Sequence, residues 1–353
     1  MEYYFFPIIA FFVYLIGRDE NLDRQILSSM MLFFLLVGIT LFTCLRSPEV
    51  GTDYPAYESL FYYPNDIEIG FAFIANLFTS MGLSYRLFLS FFFVLTLIFR
   101  ILVFTKLSKN LSISLMVTFG FWFLVYDLNG IRQGLSIAIL GLAAYYAYEK
   151  KIGKYLFYFI VAALLHSSSL VFLPFYFLIN IKIPKKIMIL LVITAVLFSA
   201  FGFSDYLFSF LLQGSASGAI VDKVSTYSQS DEFNSNIILS FNMFHRLLIF
   251  TVTLLLIDKI PAVERLKTFI LTAAFLNVLI FTLLSRFEII ATRGSLPFRY
   301  IECIFFSYLP FTFDSKLKNI AVAFILLLYI VLQIYQTLSI PDGNLIPYKS
   351  ILF

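Results

Sequence analysis

The sequence predicts an all-α fold, a polytopic bundle of transmembrane helices, and three observations lead to this fold class. Hydrophobic residues make up 61% of the 353 residues and charged residues only 13%. The mean hydropathy of +0.92 is too high for a soluble domain of this length. Runs such as 26–45 and 320–338 are apolar on every side, as helices that face lipid are.

Hydrophobic runs recur along the whole chain and predict helices that enter the membrane. They cover residues 3–17, 26–45, 87–104, 111–126, 134–148, 187–203, 236–257, 268–284, 298–313 and 320–338. The stretch 155–180 has lysines at both ends but is too short for two full spans, so it predicts a hairpin of two short helices. His166 and the three serines after it mark the break, because a broken helix is tolerated only against protein or a wet cavity. The total is about twelve spans in a single transmembrane domain, residues 1–353.

Lysine positions predict the orientation of these helices. Lysines gather in short loops around 106–109, 150–154, 182–186, 259–267 and 316–318, which the positive-inside rule assigns to the cytoplasm. Both termini and three longer loops, 46–86, 204–235 and 285–297, then lie outside. In the first loop, 54–63 and 69–81 are aromatic-rich and predict helices on the membrane surface. The second loop is the most polar stretch of the chain.

Arginines show the opposite distribution. Seven of the eleven fall in or near the predicted outer half, where positive charge is usually avoided: Arg46, Arg86, Arg132, Arg246, Arg286, Arg293 and Arg299. A guanidinium group suits a diphosphate or a carboxylate better than an ammonium does. The alternative is pairing with acids of this chain: Asp53, Glu68, Asp127, Glu288 and Glu302.

Three polar positions are candidates for chemistry. Gly51 permits a turn that places Asp53 at the start of a short helix, where its carboxylate either caps the helix or points into a cavity. Arg132 starts another helix, which is unfavourable for a cation unless an anion lies nearby, either on a substrate or on Asp127. His166 is either a hydrogen-bonded structural residue or a base.

Several motif classes are missing from the sequence. Cys44 and Cys303 lie in or beside apolar runs, no histidine, cysteine or carboxylate spacing predicts a metal site, and no Asp-x-Asp motif is present to hold Mg²⁺. Walker A, Gly-x-Ser-x-Gly and dinucleotide fingerprints are also missing. We therefore expect no metal, no cofactor and no nucleic-acid partner, which leaves lipid-linked chemistry or transport.

The order of these polar residues resembles that of a known family. Arg46, Gly51-Thr52-Asp53-Tyr54, Tyr57, Glu68-Ile69-Gly70-Phe71, Arg132-Gln133 and His166-Ser167-Ser168 together resemble the EpsG family of Wzy-type polysaccharide polymerases. The resemblance implies a bacterial inner-membrane glycosyltransferase with a GT-C-like architecture. It would transfer an undecaprenyl-pyrophosphate-linked glycan chain onto the sugar hydroxyl of a lipid-linked repeat unit, on the extracytoplasmic face. Membrane lipid and a chain-length regulator are the further partners implied.

The resemblance and the chemistry together imply roles for single residues. Such a reaction needs a base for the attacking hydroxyl and cations for the departing diphosphate. Asp53, Glu68 and His166 are the candidate catalytic residues, with Asp53 or Glu68 as the base and His166 as an orienting group. Arg46, Arg132, Arg293 and Arg299 would hold the pyrophosphate, and Tyr54, Tyr57 and Tyr126 would stack on sugars.

Other functions remain open from the sequence. A flippase or transporter of lipid-linked oligosaccharide also needs a cationic cavity, although the outward bias of the arginines and the lack of repeated halves argue against it. An O-antigen-ligase-like enzyme, or a glycosyltransferase with a lipid-monophosphate-sugar donor, would use the same kinds of residue.

Overall fold

A computed structural model describes residues 1–202, 240–285, 288–340 and 343–352 of the chain. Their secondary structure is helical apart from one isolated β-bridge between Arg46 and Ser350. The predicted polar loop 204–235 and Arg286 lie outside the described residues. The all-α prediction is confirmed for the part of the chain that is described.

The α-helices, numbered along the described chain, have the following bounds. They are α1 Phe5–Gly17, α2 Leu22–Cys44, α3 Tyr54–Tyr62, α4 Ile69–Ser80, α5 Tyr85–Leu107, α6 Leu111–Thr118, α7 Ile131–Tyr148, α8 Ile152–Leu165, α9 Phe175–Leu178, α10 Lys185–Ala200, α11 Phe241–Leu256, α12 Glu264–Leu283, α13 Glu288–Arg299, α14 Glu302–Tyr308 and α15 Lys316–Leu338. A π-helix covers Phe123–Asp127, and 3-10 helices cover Glu2–Tyr4, Ser167–Phe172 and Leu309–Phe311. Polar side chains cap the N-terminal ends of α2, α5, α6, α11 and α15, because each accepts a hydrogen bond from an otherwise unsatisfied amide; they are Asn21, Ser84, Asn110, Ser240 and Ser315.

Four of the described helices, α2, α5, α12 and α15, are long and apolar enough to cross a membrane. Shorter apolar helical segments cover Glu2–Gly17, Ile69–Ser80, Ile152–Leu165, Ser167–Leu178, Phe241–Leu256 and Glu302–Phe311. The chain is thus a helical membrane protein. The total of about twelve spans and the GT-C-like arrangement stay predictions.

Two predicted elements differ from the structure. The run 111–126 was expected as one helix, but α6 ends at Thr118 and the π-helix follows. Between them Gly120 approaches α15 so closely that a Cβ would lie 2.9 Å from the Gln333 side-chain oxygen. Most of 285–297, expected as an outer loop, is helical because it lies in α13, and its location outside the membrane stays a prediction. The run 298–313 is divided between the end of α13, α14 and a 3-10 helix.

The predicted break near His166 is confirmed. Helix α8 ends at Leu165, and His166 is extended with φ −156° and ψ 121°. The second arm is a 3-10 helix followed by the single turn α9, not a second complete helix. The carbonyl of Ala162, in the last turn of α8, accepts a hydrogen bond at 2.9 Å from the Ser136 hydroxyl.

The helices group into two compact units. The first contains Met1–Leu170 with Cys303–Phe353, and the second contains Val171–Glu302. In the first, α7 packs between α5 and α8, and α4 packs on α8. In the second, α12 contacts α10, α11 and α13. The single transmembrane domain expected from the sequence stays a prediction.

The segment 343–352 packs on the chain that follows α2, an arrangement that the sequence did not predict. The Ser47 amide donates to the Lys349 carbonyl at 2.9 Å, and the Gly51 amide donates to the Asn344 carbonyl at 2.9 Å. The Tyr348 ring stacks on Phe42 with 3.8 Å between centroids. The segment 343–352 therefore holds the turn that precedes α3 in place.

Candidate functional site

The candidate site begins at the turn before α3. Gly51 has φ +100°, and a Cβ there would lie 2.8 Å from both the Asn129 side-chain oxygen and the Leu128 carbonyl. Glycine is thus required for its backbone conformation and for the close approach. This contact places Asp53 beside the chain that connects the π-helix to α7.

Asp53 occupies the N-cap position of α3, but its side chain does not cap the helix. Its amide donates to the Asn129 side-chain oxygen at 3.5 Å, and the Thr52 hydroxyl lies 3.4 Å from its carboxylate. No ion pair joins Asp53 to any residue in the described ranges. The capping alternative is therefore wrong, and the half-buried carboxylate can accept a proton.

Glu68 pairs with Arg132 and joins three elements. Its side chain leaves the N-cap position of α4 without capping it and forms an ion pair with Arg132, in the first turn of α7. The Ser167 amide and hydroxyl each donate to the other carboxylate oxygen at 3.2 Å. The Glu68 and Arg132 side chains are 14% and 21% exposed, so the pair lies at the edge of the packed unit rather than inside it.

A glycine makes this pair possible. At Gly70 a Cβ would lie 2.7 Å from the Leu164 carbonyl, so only glycine allows α4 to start against the end of α8. That approach brings Glu68 within hydrogen-bond distance of Ser167. Arg132 is held over the rings of Tyr57 and Phe71, with 5.5 Å from the guanidinium carbon to each centroid.

The surroundings of Glu68 keep its carboxyl ionised. Burial alone would raise the pKa of this carboxyl, but the Arg132 guanidinium and hydrogen bonds from the backbone outweigh burial and hold it below its usual value. A carboxylate with a lowered pKa is a weak base at neutral pH. Glu68 is also engaged by Arg132 and Ser167, whereas Asp53 has no ion pair in the described ranges, so Asp53 is the more available of the two acids expected as the base.

Arg132 does not pair with Asp127, so that alternative is wrong. Asp127 binds both terminal nitrogens of Arg100, with 2.8 Å between Arg100 Nη2 and Asp127 Oδ1, and both side chains are buried. The sequence did not single out Arg100, because it lies in an apolar run. A planar two-nitrogen contact of this kind fixes the π-helix against α5.

His166 is arranged as a donor. Its Nδ1 accepts from the Ser168 amide at 3.2 Å and lies 2.8 Å from the Ser168 hydroxyl. A neutral imidazole whose Nδ1 accepts carries its proton on Nε2. His166 in this form can orient a neighbouring acceptor but does not remove a proton through Nε2.

Arg46 is the most deeply buried of the predicted pyrophosphate ligands in this unit, at 4% exposed. Its Nη1 donates to the Leu128 carbonyl at 2.6 Å, and its guanidinium carbon lies 5.9 Å from the centroid of the Tyr54 ring. Its Nε has no hydrogen-bond acceptor among the described residues. These contacts hold the turn before α3 against the end of the π-helix.

The three predicted sugar-binding tyrosines are buried. Tyr54 packs edge-on against Tyr85 at 5.0 Å, Tyr57 lies under Arg132, and Tyr126 packs on Trp122 at 5.5 Å between centroids. Their burial means that the three rings pack against protein. Their contacts with sugar stay a prediction.

Arg293 and Arg299, the other two predicted pyrophosphate ligands, belong to the second unit. Arg293 is exposed on α13. Arg299 is buried, with its Nε 3.6 Å from the Glu302 carboxylate. In the same unit, Arg246 lies over the Phe281 ring at 3.7 Å.

The sequence model of the EpsG family matches residues 29–350 of this chain. The chain belongs to the EpsG family. None of the curated proteins and none of the solved structures matches it. EpsG membership indicates a polysaccharide-polymerase-like membrane protein, and the match extends across both units.

Within this EpsG protein, the first unit brings together most of the residues that the sequence selected. Tyr57 connects the two halves of the group, because its hydroxyl lies 3.5 Å from Arg132 Nε and its amide donates to the Asp53 carbonyl at 2.9 Å. Sequence reasoning did not assign a role to Ser167 as a ligand of Glu68 or to Asn129 as the support of Asp53. The run of serines after His166 and the Asn-Gly pair at 129–130 were the available signals.

Proposed function

We propose that this EpsG protein is a glycosyltransferase that lengthens a polysaccharide. It would transfer the glycan chain of an undecaprenyl-pyrophosphate donor onto a sugar hydroxyl of a second lipid-linked repeat unit, on the extracytoplasmic face of the bacterial cell membrane. The observation that carries the proposal is the connection, through Tyr57, of two half-buried side chains: the guanidinium group of Arg132 and the Asp53 carboxylate, which has no ion-pair partner among the described residues.

The residues suit a single displacement step. The acceptor hydroxyl gives its proton to the Asp53 carboxylate, and its oxygen forms the new bond to the anomeric carbon of the donor sugar. The bond from that carbon to the pyrophosphate oxygen breaks, and the electron pair leaves with the polyprenyl pyrophosphate. Arg132 stabilises the negative charge on this leaving group. Because pyrophosphate leaves readily, no general acid is needed.

The remaining candidates receive supporting roles in this proposal. Arg46 positions the turn that carries Asp53, as its deep burial and its bond to the Leu128 carbonyl favour. His166 orients a neighbouring acceptor through Nε2. Arg293 and Arg299 remain candidates for further contacts to the diphosphate.

The test is incubation of the purified protein with an undecaprenyl-pyrophosphate-linked repeat unit from the host. We expect a ladder of lengthened glycans on a gel. Lipid-linked glycan that crosses the membrane of a vesicle without being lengthened would instead identify a flippase. A product on a lipid A acceptor alone would identify a ligase-like enzyme.

A further inference from the structure

The carboxylate of Glu68 occupies a set of donors contributed by other elements. Ser167 supplies an amide and a hydroxyl at 3.2 Å each to one oxygen, and Arg132 binds the other oxygen. Arg132 and Ser167 lie in separate elements, at the start of α7 and just after α8. These donors face one anion from two directions.

The same donors match the chemistry of a phosphate group. Phosphate oxygens are bound in proteins by guanidinium groups, hydroxyls and backbone amides. A carboxylate presents two such oxygens and one negative charge, so the Glu68 carboxylate resembles part of a phosphate in shape and charge. Replacing it by a phosphate would leave Arg132 paired and both Ser167 donors satisfied.

Glu68 itself is arranged so that it can leave. Its side chain does not cap α4, so its departure removes no cap from its own helix. It is already 14% exposed, and Ser167 and Arg132 donate hydrogen bonds to its carboxylate. Because Glu68 starts near the surface, its carboxylate can move into water and regain its hydration. The buried carboxylate of Asp127 has no such access to water.

We propose that Arg132 and the amide and hydroxyl of Ser167 form a phosphate subsite that the Glu68 carboxylate occupies until the donor's diphosphate displaces it. The proposal rests on the proposed function for the identity of the ligand, a polyprenyl diphosphate. Glu68 is then an internal competitor of the diphosphate and not the base. It keeps Arg132 and Ser167 in position in the empty enzyme.

Competition has a measurable consequence. When an internal group occupies a site for part of the time, the apparent affinity of the ligand is its intrinsic affinity multiplied by the fraction of time that the site is free. Removal of the charge of Glu68 should therefore tighten diphosphate binding, by about 5- to 30-fold if the coupling is typical in size. The Ser167 hydroxyl serves Glu68 in the empty site and the diphosphate in the filled one, so its loss is informative where Glu68 no longer competes. In the Glu68→Gln background that loss should weaken binding by roughly 10- to 150-fold, for one hydrogen bond to a charged group.

The experiment measures binding of farnesyl pyrophosphate and of inorganic pyrophosphate to the purified full chain in detergent. Glu68→Gln is nearly isosteric and should bind farnesyl pyrophosphate more tightly than wild type, while the double variant Glu68→Gln with Ser167→Ala should bind it more weakly than Glu68→Gln alone. Glu58→Gln is the matched control, since Glu58 carries the same charge in the same loop without an ion pair among the described residues. Tighter binding of farnesyl pyrophosphate but not of inorganic pyrophosphate assigns the subsite to the lipid donor, and equal tightening of both supports the subsite with a free diphosphate as ligand.

Unchanged or weaker binding by Glu68→Gln, or by Glu68→Ala if the glutamine variant does not fold, overturns the proposal. Loss of the Ser167 hydroxyl that leaves the affinity of that variant unchanged also overturns it. Failure of the proposed function looks different. A purified wild-type protein that makes no ladder, while Glu68→Gln still binds the diphosphate more tightly, keeps the subsite and removes the polymerase. A wild-type protein that makes a ladder, while Glu68→Gln binds the diphosphate no more tightly, keeps the polymerase and removes the subsite.

Discussion

Replacement of Arg132 by lysine separates charge from geometry at the candidate site. Lysine keeps the positive charge and can still meet Glu68, but it loses the second nitrogen and the planar group that lies over Tyr57 and Phe71 at 5.5 Å. The guanidinium Nε lies 3.5 Å from the Tyr57 hydroxyl, a weak contact that lysine cannot reproduce. The substitution therefore changes how a diphosphate is held more than whether it is attracted.

The structure sets the size of the expected effects. One lost hydrogen bond to a charged group costs about 1.5–3 kcal/mol, so the lengthening rate should fall roughly 10- to 150-fold at 1.4 kcal/mol per factor of ten. The free energy of unfolding should fall by less than about 1 kcal/mol, because the charge is retained and the pair with Glu68 is partly exposed. Activity should thus decline much more than abundance.

The assay compares initial rates of ladder formation, donor-lipid binding and membrane abundance for Arg132→Lys and wild type. Arg24→Lys serves as a control, since Arg24 pairs with Asp19 at 2.5 Å and its side chain is 61% exposed. Abundance that falls in parallel with activity, or a variant that binds the donor as wild type does, would refute the assignment of Arg132 to the pyrophosphate.

Three further substitutions test other contacts of the site. Asp53→Asn should leave abundance and melting temperature unchanged, because the side chain caps nothing, and should remove most ladder formation; normal ladders would exclude Asp53 as the base. Asp127→Asn leaves the buried Arg100 without its charged partner and should lower the free energy of unfolding by about 3–5 kcal/mol. The melting temperature in detergent should fall, and the double variant Arg100→Met with Asp127→Leu should restore it. An unchanged melting temperature of the single variant would contradict this. Gly51→Ala adds a Cβ 2.8 Å from Asn129 at φ +100° and should reduce ladder formation and donor binding together, whereas wild-type values for both would show that the turn tolerates the strain.

The sequence by itself determined the class of the protein and the position of its polar residues along the chain. The long apolar helices, the break of α8 at His166 and the helices α3 and α4 follow from hydropathy and from local turn residues, which act over a few neighbouring positions. The motif residues Arg46, Asp53, Glu68 and Arg132 were also visible, because charges are rare in such a chain and stand out.

The tertiary structure decided which charges meet. Glu68 and Arg132 are 64 residues apart in the chain, and their pairing depends on the close approach of Gly70 to Leu164. Asp127 could have served Arg132 by proximity in sequence, yet it binds Arg100 from another helix. No local pattern carries this information, because an ion pair between residues far apart in the chain depends on which helices pack together. For the same reason only the folded chain shows that the segment 343–352 packs on the turn before α3. The two sides of that contact lie about 300 residues apart in the sequence.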